Sequence, residues 1–167
     1  AFLYMLRHTE PPGNAEHGQA VFRSKGCVRC HSPTGTLGPD LARQAGAVTD
    51  WTQAMWNHAP AMRSSMKQAG MGWPRFQGQE FNDLLAYVRR LNPVHPEPLP
   101  PTLGDPQRGW QVFQKKSCIV CHSWQAEAKR RGPALGAPLK IPVTFTGVSA
   151  LMWNHVPQMQ EAMQEKN

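Results

Sequence analysis

The chain reads as an all-α protein made of two similar units, and three observations carry that reading. Residues 79–91 place Phe81, Leu84, Leu85, Val88 and Leu91 on one face of a helix. No run of residues alternates apolar and polar side chains as a half-buried strand would. A long pattern also occurs twice. Gly18-Gln19-Ala20-Val21-Phe22 aligns with Gly109-Trp110-Gln111-Val112-Phe113, and Lys25 with Lys116, at an offset of 91. Gly38-Pro39 answers Gly132-Pro133, and Leu41 answers Leu135. Met55-Trp56-Asn57-His58, Pro60, Met62 and Met66 answer Met152-Trp153-Asn154-His155, Pro157, Met159 and Met163 at an offset of 97.

Each element has a local signal. Asn14 caps a helix through Val21 and Phe22 to Gly26, and Asp105 with Pro106 repeats the start signal. A further helix spans about 50–68 and is expected to bend at Pro60. The stretch 92–101 holds five prolines and reads as an extended, semi-rigid spacer. The organisation is therefore an N-terminal segment 1–12, a first domain 13–92, a proline-rich linker 93–104 and a second domain 105–167. Units of about 80 and 60 residues bury little apolar surface unaided, so a large apolar cofactor would complete their cores.

The repeated pattern brackets Cys27-Val28-Arg29-Cys30-His31 and Cys118-Ile119-Val120-Cys121-His122. Cys-x-x-Cys-His is the attachment site of c-type haem: the two cysteines form thioethers to the vinyl groups and the histidine ligates the iron. A zinc half-site, a redox dithiol and disulfides are the alternatives. Both pairs carry the histidine and all four cysteines are used, which favours two covalently bound haem c groups with His31 and His122 as proximal ligands.

The order of helix, haem motif, Gly-Pro-x-Leu loop, helix, proline-containing loop and final Leu-Leu-Ala-Tyr-Val helix resembles class I cytochrome c. The resemblance covers nearly all of 13–92 and the first three-quarters of the same pattern in 105–167. It implies two tandem class I cytochrome c-like domains, the second lacking its final helix in this chain. It also implies that the first and last helices cross with Gly18 against Tyr87; Gly109 repeats the glycine. The missing final helix suggests a fragment of a longer chain. The apolar start Ala1-Phe2-Leu3-Tyr4-Met5-Leu6 is compatible with the end of a membrane anchor, although six residues cannot span a bilayer, which takes about 20.

The family's methionine ligand precedes a proline, but Trp73-Pro74-Arg75-Phe76 puts tryptophan there, with Met71 two residues earlier. On a helix, Trp51, Met55, Met62 and Met66 form one stripe with His58 towards its edge. Met62 and Met159 are the first choice as sixth ligands, followed by Met66 and Met163. His58 and His155 compete with them or bond a haem propionate beside Asn57 and Asn154, and a methionine stripe is also ordinary core. Trp56 and Trp153 resemble the family's propionate-binding tryptophan. A thioether ligand raises the reduction potential relative to a second imidazole.

The net charge is +7, and two oxidised haems would lower it by about 2. Arg23, Lys25, Arg29, Lys115 and Lys116 crowd the two motifs and suit an acidic redox protein or a membrane oxidoreductase complex. The charges are dispersed and carry no nucleic-acid motif, and no small-molecule substrate is expected. Covalent haem attachment occurs outside the bacterial cytoplasm, which implies the periplasm or the outer face of a membrane. The expected function is electron transfer within a larger respiratory or photosynthetic chain, without catalysis. The alternative is a cytochrome subunit of an oxidoreductase complex. A dihaem peroxidase fits less well, because it needs an open iron site where this chain offers distal candidates.

Overall fold

The computed structural model describes residues 11–35, 37–43, 46–92, 104–125, 130–136 and 144–165. Seven α-helices and no strand occur among them, so the all-α fold expected from sequence holds. The described residues within Ala1–Leu99 and Val143–Asn167 form one compact unit, and those within Pro100–Pro142 form another. The apolar start at 1–10 and linker residues 93–103 lie outside the described residues. Among the described residues no helix is long and apolar enough to cross a membrane.

In the first unit, α1 spans Ala15–Ser24, and the Asn14 side chain accepts from the His17 backbone N–H at 2.9 Å. Its chain then turns through Gly26 at φ 76°, a left-handed position that glycine adopts freely, into a short 3₁₀ turn at Cys27–Arg29. Helix α2 covers Val48–Gln68 with Pro60 inside it, and the Asp50 carboxylate accepts from the Ala47 N–H at 2.9 Å. Helix α3 covers Glu80–Leu91 and buries Phe81, Leu84, Leu85 and Val88 of the face its periodicity announced, with Tyr87 beside them, whereas Leu91 at its end is exposed.

Helices α1 and α3 cross at Gly18. A Cβ there would sit 1.9 Å from the Asp83 carbonyl oxygen and 2.8 Å from Tyr87 Cβ, so only glycine lets the two backbones come this close. Phe22 packs beside Tyr87 with ring centroids 5.5 Å apart. The buried Asp83 carboxylate accepts from the Asn14 N–H at 2.7 Å and meets His17 Nδ1 at 2.6 Å, which ties the start of α1 to α3.

Helices α6 (Phe145–Asn154) and α7 (Val156–Gln164) belong to this same compact unit, although the repeat groups them with 105–167. The reason lies in the segment 73–76. Trp153 is buried, stacks on Trp73 at 4.3 Å between centroids, and donates from Nε1 to the Pro74 carbonyl at 2.7 Å. Trp73 donates in return to the Trp153 carbonyl at 3.0 Å. The Asn154 amide accepts from Phe76 N–H and donates to Phe76 O, at 2.8 and 2.7 Å. Two rings and four hydrogen bonds thus hold α6 against this extended stretch.

Equivalent positions of the repeat meet where α2 lies beside α6 and α7. Thr52 bonds to Ser149 and Arg63 to Gln160, both pairs 97 residues apart, so the helices run side by side in the same direction. A cleft between them is lined by Thr52, Met55, Trp56 and their counterparts Ser149, Met152 and Trp153, with Phe81 at its floor. Arg63 also pairs with Glu161.

In the second unit, α4 (Pro106–Lys115) starts on the Asp105 side chain, which accepts from the Gln107 and Arg108 N–H groups at 2.8 and 3.2 Å. Ser117 takes the left-handed turn at φ 60° that Gly26 takes in the first unit, leading into the single-turn helix α5 (Cys118–Cys121). Helix α4 buries none of its residues: Trp110 is 43 % and Val112 55 % exposed, and a Cβ on Gly109 would meet nothing within 4 Å.

The two glycines should therefore respond oppositely to alanine. Gly18→Ala is expected to destabilise by about 3 kcal/mol, because the α1–α3 crossing must open. Gly109→Ala should gain up to about 1 kcal/mol from helix propensity alone. Urea denaturation of the two variants checks both signs. Trp153→Ala should lose about 3–5 kcal/mol through the cavity it leaves, read in the same titration.

Candidate haem attachment site

The spacing Cys-x-x-Cys-His becomes intelligible on a helical turn, where residues i, i+3 and i+4 share a face. Both motifs are wound this way. His31 N–H donates to Cys27 O at 2.8 Å, and His122 N–H donates to Cys118 O at 2.8 Å. Two sulfurs and an imidazole thus leave one side of one turn, the donor set that a flat group with two vinyl substituents and a central iron requires.

The loop after each motif then fixes the imidazole. His31 Nδ1 lies 3.0 Å from the Pro39 carbonyl oxygen and His122 Nδ1 2.9 Å from that of Pro133. A carbonyl can only accept, so Nδ1 carries the proton and Nε2 keeps its lone pair for a metal. Gly38 and Gly132 make the approach feasible: a Cβ on either would lie 2.6 Å from the ring Cε1 and 2.7 Å from Nδ1. The repeat marked these glycines, but only the fold reveals that they make room for a histidine. Two turns with the same contacts fit a covalently held haem.

The competing chemistries find less support. Among the described residues, no three His, Cys, Asp or Glu side chains converge as a zinc site would need. The four cysteines are free. Burial pushes the Cys27 thiol up to about 11 against the opposing pull of Lys25, so it is neutral near pH 7.

The distal candidates are dispersed. Met66 is buried in the first unit and Met62 packs half-buried against its core. The Met71 methyl carbon lies against Gly26. His58, exposed on α2, presents its ring to His31 with 6.2 Å between centroids. Met159 is half-buried and Met163 exposed on α7, and His155 places Nδ1 2.8 Å from the Leu151 carbonyl. Trp56 lines the cleft and Asn57 is exposed. Trp153 and Asn154, expected beside a propionate, each direct an N–H to a carbonyl, of Pro74 and Phe76 respectively.

The basic rim is smaller than the sequence suggested. Lys25 pairs with Glu80 at 2.9 Å and sits over the Phe76 ring, so it serves the fold. Arg23 and Arg29 remain exposed in the first unit, as do Lys115 and Lys116 in the second.

Because each glycine faces a histidine ring, Gly38→Ala and Gly132→Ala should each cost about 1–3 kcal/mol and loosen that ring from its carbonyl partner. Urea denaturation and the imidazole NMR resonances of each variant measure the two effects.

None of the curated proteins and none of the solved structures compared with this chain matches it. Residues 15–92 match the family model described as Cytochrome c. With the His31 clamp and the Gly18 crossing in place, that match supports a c-type cytochrome unit over residues 15–92, the kind of unit that carries electrons on a covalently held haem c.

Proposed function

We propose that the chain is a dihaem c-type cytochrome that passes electrons between redox partners outside the cytoplasm, as a module of a larger membrane-associated respiratory or photosynthetic chain. One observation carries the second haem. The turn at Cys118–His122 repeats the first unit's histidine clamp to within a tenth of an ångström, down to the glycine against the ring. Cys27, Cys30 and His31 hold one haem, and Cys118, Cys121 and His122 the other. The haem iron supplies a one-electron ferric–ferrous couple. The protein fixes imidazole orientation through the Pro39 and Pro133 carbonyls, and Cys27 packs against the buried core of the first unit.

A second reading, a cytochrome subunit bound within an oxidoreductase complex, draws on the bare α4 face. Trp110 and Val112 there, with Trp124 at 66 % exposure, give the second unit apolar surface of the kind that partners cover. Under either reading, the exposed Arg23, Arg29, Lys115 and Lys116 steer an acidic redox partner.

Expression with a periplasmic haem-attachment system tests the proposal. The mature chain should carry two haems by intact mass, and Cys118→Ala/Cys121→Ala should carry one. An unchanged haem content in that double variant would remove the second site. Reduction by an acidic donor protein should slow several-fold in Arg23→Glu/Lys116→Glu and lose its salt dependence.

A further inference from the structure

We propose that His58 is the sixth ligand of the first haem, so that this iron lies between two imidazoles. The inference rests on the haem reading above and specifies what closes its far side. His31 is clamped through Nδ1 and turns its free Nε2 edge away from Pro39. The His58 ring stands near it, with centroids 6.2 Å apart and planes inclined by 71°.

That distance suits a shared metal. Rings in direct hydrogen-bond contact lie closer, whereas two imidazoles on opposite sides of one metal, each bonded at about 2.0 Å, place their centroids about 6.3 Å apart. Ligand planes that share an axis can take any mutual angle, so the inclination is no obstacle. An edge-to-face ring contact covers the same distance range, but such a pair gains by burial. Here His31 is half-buried and His58 exposed, so packing gives His58 no reason to be there. Nor does hydrogen bonding: among the described residues the His58 ring has no partner, whereas its counterpart His155 is tied to Leu151.

The methionines nearby are otherwise engaged. Met66 is buried, Met62 packs against the core one helical turn beyond His58, and Met71 ends against Gly26. Each would have to leave an apolar contact to reach a metal. Rotating an exposed His58 costs no such contact.

The test uses the full chain with both haems attached, whose number is read separately by intact mass. Electron paramagnetic resonance of the ferric wild type should show one haem with the signature of two imidazoles. His58→Ala should turn one of the two ferric haems from low to high spin and let the reduced chain bind one additional carbon monoxide. His58→Met should add the weak charge-transfer band of a thioether–ferric iron bond, at the intensity of one haem. Met62→Leu, Met66→Leu and Met71→Leu should leave the first haem low-spin.

Methionine ligation of both haems in the wild type would overturn the inference even if no variant matured. So would a low-spin, carbon monoxide-silent His58→Ala, or a site opened by any of the methionine variants. A chain without covalent haem would instead overturn the functional reading beneath it.

Discussion

The close approach of α1 to α3 at Gly18 governs what the rest of the first unit can do. Because no side chain separates the helices there, the Asp83 carboxylate reaches the start of α1 and holds both the Asn14 N–H and the His17 ring. Phe22 then falls beside Tyr87, and the remaining α3 face is left for Phe76, α6 and the turn at Leu41–Arg43 to cover. The attachment turn follows α1 after a single left-handed residue, so the crossing also determines where Cys27, Cys30 and His31 stand. Shifting the crossing would move the proximal ligand with it.

Much of this was legible in sequence, for reasons that differ by element. Helix α3 declared itself because its apolar residues follow the helical period, and α1 and α4 because Asn14 and Asp105 are side-chain caps that act within three residues. The attachment turns were legible because their chemistry needs residues i, i+3 and i+4 on one face. What escaped was non-local. Nothing near Trp153 says that its indole bonds a carbonyl 79 residues away, and no propensity rule assigns the Asn154 amide to Phe76. Both side chains spend an N–H on hydrogen bonds that only tertiary packing supplies.

Charge was similarly over-read. Five basic residues crowding the two motifs suggested a docking surface, yet Lys25 is paired with Glu80 over Phe76. A formal charge count treats every lysine alike, whereas the fold decides which remain available to a partner. The left-handed Ser117 was equally invisible: the first unit uses glycine at that position, and only the repeated turn geometry shows serine adopting the same backbone.

The facing of like positions across α2 and α6–α7 has a further consequence. When two identical molecules associate about a two-fold axis, each residue near the axis confronts its own copy, and one codon sets both sides of the contact. A chain that contains both copies escapes that restriction. Arg63 shows the escape: opposite it stand Gln160 and Glu161, where strict self-pairing would have opposed two guanidinium groups. The single chain can therefore tune one half of a symmetric seam against the other, an asymmetry that two separate copies of one unit could not encode.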